Sequence, residues 1–90
     1  MNKKTASFSA LIRACRAALG WSQTVLAEKA DMATVSIARI ESGAISPRID
    51  SARGIVRAFQ DAGLEIREDE PRGGFTLIVS EQVFEVKKTD

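Results

Sequence analysis

The sequence predicts a mainly α domain, a bundle of four to five helices followed by a short β-hairpin or a three-stranded extension. Three observations predict it. Apolar residues recur at helical period through the first sixty positions. Gly20, Gly43 and Gly63 each follow the last apolar position of such a stretch, where a helix end favours φ > 0. From Leu64 the period changes to two, with Leu64, Ile66 and Glu68 alternating with Glu65, Arg67 and Asp69 as in a strand.

Each element has its own signal. Phe8, Leu11, Ile12, Cys15 and Leu19 form one apolar stripe and predict a first helix over residues 7–19. Ser22 is an N-cap candidate for a second helix over 23–30, whose apolar face is Leu26, Ala27 and Ala30. Asp31 and Met32 interrupt the pattern, and Asp tolerates the left-handed conformation better than most residues. A third helix follows over 33–42 with Ile37 and Ile40 inward. After a loop carrying Pro47, Asp50 or Ser51 caps a fourth helix reaching Ala62, with Ala52, Ile55, Val56, Phe59 and Ala62 on one face. Gly54 costs that helix about 1 kcal/mol relative to Ala, so a close helix contact is expected there. Pro71, Gly73 and Gly74 mark a turn at 70–74, residues 75–79 are rich in β-formers, and 83–86 reads as a third short strand. Residues 87–90 read as a frayed tail.

Composition narrows the function. Ninety residues, 44% hydrophobic and 28% charged, are expected to make one small globular domain, residues 1–63, with a short appendage, 64–90. The chain has no histidine, which removes Ser-His-Asp and Cys-His catalysis and His-ligated metal sites. A single cysteine, Cys15, forms no internal disulfide and reads as a core residue. There is no Gly-rich phosphate loop and no tight acidic cluster for Mg²⁺, so the sequence points to no enzyme, cofactor or metal. Glu68, Asp69 and Glu70 read as part of a turn. No apolar run suggests a membrane span and MNKKTASFSA lacks the apolar core of a signal peptide, so a cytoplasmic protein is expected.

The net charge of +1 hides an asymmetry. Residues 1–60 hold nine Lys/Arg against four Asp/Glu, a net of +5, and residues 61–90 hold four against eight, a net of −4. A basic part joined to an acidic part fits a protein that turns one side to a polyanion; two solvated surfaces with an accidental skew are the other reading.

Two short helices joined by a tight turn form a helix-turn-helix unit, whose second helix lies in the DNA major groove, although many helical bundles share that spacing. The residues are more specific. The run LIRACRAALGWSQTVLAEKADMATVSIARIESGAISP resembles the helix-turn-helix domain of the Cro/phage-repressor type, the XRE family. Arg16, Gly20, Ser22, Gln23, Leu26, Ala27, Ile37, Ile40, Glu41, Gly43 and Pro47 fall on that family's signature positions, and the match spans about residues 8–62. AGLEI…GGFTLIV is similar to a bacterial subgroup with a short β segment after the last helix.

The resemblance implies roles. Gln23 would reach a phosphate or a base edge. Thr34, Val35 and Arg39 would face bases, Ser36 and Ser42 would touch the DNA backbone, and the Gly43 N–H would bond a phosphate. Arg39 can bond bidentately to guanine, whereas Thr34 and Val35 can offer little beyond a methyl contact to thymine; a solvated helix-face arginine is the other reading of Arg39. Arg16 and Glu41 would pair across the first and third helices as a structural ion pair. Trp21 is expected to pack against the first helix rather than on a base. Three positions depart from the family pattern. Asp31 replaces the turn glycine, Ala33 replaces the Ser or Thr that caps the third helix, with Thr34 or Asp31 as substitutes, and Val25 replaces an acidic residue of a capping box. A helix so poor in hydrogen-bonding side chains suggests readout partly through DNA shape.

The function expected is a sequence-specific regulator of transcription, a dimeric repressor that binds double-stranded DNA through the helix at 33–42. The homodimer is expected through residues 64–86, where Leu64, Ile66, Phe75, Leu77 and Val79, joined by Phe84 and Val86, supply apolar side chains, and where pairing with a second copy removes an open sheet edge. The alternative is an antitoxin or protein-interaction module whose acidic extension binds a partner protein such as a toxin.

Overall fold

The computed structural model describes residues 2–85. Four helices run in sequence, α1 (Lys3–Leu19), α2 (Gln23–Lys29), α3 (Thr34–Ser42) and α4 (Ile49–Asp61). An antiparallel hairpin of β1 (Glu65–Glu68) and β2 (Phe75–Ile78) follows, and then a short 3-10 helix, Glu81–Phe84. The fold is therefore mainly α with a two-stranded β appendage, as the sequence predicts. Among the described residues no helix is long and apolar enough to cross a membrane.

The helix ends follow local chemistry. α1 begins one turn before its apolar stripe because the Asn2 side chain accepts the Thr5 N–H at 2.8 Å. Ser22 caps α2 as predicted, its hydroxyl accepting the Val25 N–H at 3.1 Å. α4 starts earlier than a cap at Asp50 or Ser51 implies. Arg48 occupies the N-cap position without a side-chain bond, and Asp50 lies in the first turn, where its charge complements the helix dipole.

The core forms where the four helices meet. Leu11, Ile12 and Cys15 of α1, Leu26 and Ala27 of α2, Ile37 and Ile40 of α3, and Ile55, Ala58 and Phe59 of α4 are buried together with Leu64. Desolvation pushes the Cys15 thiol up to about 12, so it stays protonated as an apolar core group. A Cβ on Gly54 would lie 3.7 Å from the Ala30 carbonyl, an ordinary contact, so α4 meets the end of α2 there without needing a glycine. Trp21 packs on this core as expected, with an aromatic partner that the sequence did not indicate. Its ring stacks on Phe59 of α4, with centroids 5.9 Å apart and planes 30° from parallel, and the Lys29 ammonium lies 6.0 Å from it.

The hairpin closes one side of this core. Ile66 pairs with Leu77 and Glu68 with Phe75, so Leu64, Ile66, Phe75, Leu77 and Val79 share one face, and that face packs on the helices. These five side chains are therefore engaged within the chain rather than free for a second copy. The other face carries the Glu65–Arg67 ion pair, Thr76 and Ile78. Asp69 makes the turn, taking φ 60° and accepting the Gly73 N–H at 2.7 Å, while the Thr76 hydroxyl donates to the Glu70 carbonyl.

The expected third strand at 83–86 is not formed over its described part. Residues 81–84 are 3-10 helix, and Val83 turns back over Gly63, where an added Cβ would come within 3.4 Å of it. Gly63 holds φ 106°, a conformation that disfavours any side chain there. Val86 and the tail at 87–90 lie outside the described residues.

Phe59 is fully buried and carries Trp21, so Phe59→Ala is expected to cost about 3–5 kcal/mol, measured as a lower denaturant midpoint. A loss under 1 kcal/mol would show that the Trp21 stack and the α4 core do not depend on that ring.

Candidate nucleic-acid interface

α2 and α3 are joined by a four-residue turn, Ala30 to Ala33. Asp31 takes the left-handed conformation at φ 55°, and the Met32 N–H returns to the Ala27 carbonyl at 2.8 Å. An aspartate thus performs the turn that a glycine would make more cheaply. Ala33 opens α3 in an extended conformation with no side-chain cap; neither Thr34 nor Asp31 replaces one. Ile37 and Ile40 are buried, which turns the opposite side of the helix outward. Thr34, Val35, Arg39 and Ser42 are exposed there, Val35 at 55%, while Ser36 is half-buried.

What holds α3 at this angle is mostly polar. The Arg16 guanidinium meets the Glu41 carboxylate through two parallel bonds, Nε to Oε1 and Nη2 to Oε2, both 2.7 Å. Its remaining nitrogen donates to the Trp21 carbonyl at 2.8 Å, just before α2. The two side chains keep 21% and 10% of their exposure, so water is largely excluded from the pair. The Arg16 hydrogen bonds hold the Glu41 carboxyl below its usual range against the opposing effect of burial, with smaller contributions from Gln23 and Arg13. The same partnership pushes Arg16 further above its ordinary value.

Other bonds reinforce the C-terminal end of α3. Ser9 Oγ donates to the Ile40 carbonyl at 3.0 Å and Arg13 to the Glu41 carbonyl at 3.1 Å, and the Thr5 and Ser46 hydroxyls lie 3.1 Å apart. Sequence reasoning missed these groups. Their signal was a second stripe, Thr5, Ser9, Arg13 and Arg16, running beside the apolar one at helical spacing.

The residues singled out for DNA contact divide into two sets. Thr34, Val35 and Arg39 share the open face of α3. Gln23 opens α2 and is half-buried. Two others are committed within the chain. The Ser42 hydroxyl donates to the Arg39 carbonyl at 3.0 Å and accepts the Ala44 N–H at 3.3 Å. The Gly43 N–H donates to the Ile40 carbonyl at 3.1 Å, so it is not a free donor, and Gly43 contributes instead the φ of 81° that ends the helix. Among the described residues no cluster of His, Cys, Asp and Glu could hold a metal ion.

A helix-turn-helix family model matches residues 12–61, more than half of the chain. The protein belongs to the XRE-type helix-turn-helix family. No curated protein and no solved structure matches it. The matched span runs from α1 to the end of α4 and contains the Arg16–Glu41 pair, the turn and α3. At the level of this family the protein is a DNA-binding regulator.

The helix-turn-helix arrangement is expected to be pH-sensitive through Glu41. Its folded-state pKa is depressed, so the stability it supplies is fully present above the unfolded value of about 4.3 and is lost as pH falls through the lower folded value. Glu41→Gln should cost about 2–3 kcal/mol at neutral pH, below the about 3–5 kcal/mol of a fully buried pair because Arg16 keeps some contact with water. Denaturation at pH 7 and pH 3 checks this. The gap between the two proteins should narrow in acid, and a gap independent of pH would show that the carboxylate charge is not what matters.

Proposed function

We propose that the protein is a sequence-specific transcriptional repressor that acts in the cytoplasm as a homodimer and reads the major groove with α3. The observation that carries this reading is the outward face of α3, where Arg39 stands between Val35 and Ser42 on a helix whose other side is locked to α1. Arg39 is the side chain there with the reach and the donor pair for guanine O6 and N7. Thr34 and Val35 favour thymine methyl groups, and the near absence of other donors supports a share of readout through DNA shape. Gln23 and Ser36 flank this face as backbone contacts. Ser42 and Gly43, whose polar groups serve the helix end, are read here as shaping that end rather than as donors to phosphate.

Residues 64–86 remain the proposed dimer element, on a different footing from the apolar count. The hairpin has two strands, so each strand leaves one edge unpaired. Near one of these edges Ile78 is 37% exposed, and Phe84 beyond it is 64% exposed. Pairing with a second copy satisfies an edge and removes these groups from water, each contributing about 1.5–3 kcal/mol when fully buried. A chain ending at Gly63 is a poor test because it loses Leu64 from the core. The double variant Ile78→Asp, Phe84→Asp keeps that core, and sedimentation should show it as a monomer with weaker binding to a two-half-site operator. If it stays dimeric, the interface lies elsewhere.

Selection of bound sequences from a random DNA pool tests the reading as a whole and yields the half-site spacing. Arg39→Ala should then lose about 1–3 kcal/mol on the selected site and the discrimination at one base pair. Equal weakening on selected and random DNA would reduce Arg39 to a phosphate contact. A reporter promoter carrying the selected site should fall in output when the protein is produced; a rise would make it an activator. No affinity for any duplex would move the protein to the interaction-module class.

A further inference from the structure

One side of α4 has no partner within the chain. Its inner side buries Ile55, Ala58 and Phe59. Beside that side a second apolar line, Ile49, Ala52 and Val56, follows the i, i+3, i+7 spacing of one helical stripe. Ile49 is 70% exposed, and Ala52 and Val56 are half-buried. The three line an open groove of about 670 Å³ that reaches across to Glu68 at the end of β1.

The charges of this groove are balanced in number and unpaired in fact. Arg53 and Arg57 line it, and so do Asp50 and Glu68; all four are exposed. The ion pairs among the described residues are Arg16–Glu41 and Arg67–Glu65, and neither draws on this set. Arg53 and Arg57 stand four residues apart on α4, a like-charge spacing that disfavours a helix. A carboxylate from outside relieves that repulsion. A purely acidic partner, or DNA, would serve the two arginines and leave Asp50 and Glu68 worse off. A second copy serves both signs, because a two-fold axis gives each groove what the other lacks. Such an axis through the middle of the stripe lays the two α4 helices antiparallel. The Asp50 end of one then faces the Arg57 end of the other, and the apolar stripes close against each other between them.

We propose that the groove between α4 and β1 docks the same groove of a second copy of this chain. It shares no residue with the exposed pair Ile78 and Phe84, so a chain can use both faces at once, and this contact joins copies beyond the hairpin dimer. One stripe of a single helix is a small face, so the contact is weak and reversible and forms as the protein is concentrated.

Two charge variants of the full chain test this by sedimentation over a range of protein concentrations. R53E/R57E leaves four carboxylates and no cation in the groove, and D50N/E68K leaves three cations and no carboxylate. The positions are exposed, so circular dichroism should show both variants folded. The wild type should grow past the dimer as its concentration rises, and added salt should reverse the growth. Each variant alone should lose the larger species, since like grooves now repel. An equal mixture of the two should regain it, because opposite grooves meet only between different chains. Growth of either variant as strong as that of the wild type overturns the proposal, as does a mixture that behaves like its separate components or a wild type that never grows. The Ile78→Asp, Phe84→Asp variant keeps the groove intact, so the hairpin dimer stands or falls separately.

Discussion

The Arg16–Glu41 pair joins three helices in one hydrogen-bonded fork. Both carboxylate oxygens and the Trp21 carbonyl are fixed by a single planar guanidinium, so α1, the approach to α2 and the end of α3 share one geometry. A pair of this kind adds little stability over apolar side chains of the same size, because two charges must first leave water. What it supplies is direction. The Ile37 and Ile40 contacts let α3 slide or rotate at modest cost, whereas a bidentate bond does not. Ser9 and Arg13 add bonds at the same end, while the start of α3 has no side-chain cap. α3 is thus anchored at its C-terminal end and presented from there.

Charge is distributed to match. The helical part is basic and the hairpin is acidic, and Glu65, Glu68, Asp69 and Glu70 are all exposed. Desolvation is avoided at both places, since these groups remain in water. A duplex that meets the α3 side is drawn in, and one that meets the hairpin is repelled.

Much of the fold was legible in the sequence because helical period and glycine stops act locally. The stripe of Leu11, Ile12 and Cys15, the Ser22 cap and the terminators Gly20 and Gly43 each needed only neighbouring residues to be read. Arg16 and Glu41 were legible through family resemblance, which carries long-range information that periodicity lacks. What was not legible depended on distant contacts. Trp21 went to Phe59, thirty-eight positions away, because two aromatic rings meet only after α4 has packed. Residues 83–86 have strand-like composition, but 81–84 coil into a 3-10 helix that sets Val83 beside Gly63. Ser42 and Gly43 sit on the right side of the helix, yet their donors are consumed by its final carbonyls, a competition that no residue pattern reveals.

Leu64 is only 3% exposed, and its N–H returns to the Phe59 carbonyl at 3.2 Å, so the hairpin follows α4 without a hinge. Two copies joined through such hairpins would hold their recognition helices like the points of a fixed caliper. A flexible tether lets a dimer stretch or swivel to fit half-sites at several spacings; a fixed caliper does not. One extra base pair between half-sites turns the second by roughly 35° and moves it about 3.4 Å along the duplex. The protein would have to twist the DNA or release one half-site, so operator spacing would itself be part of the code such a dimer reads.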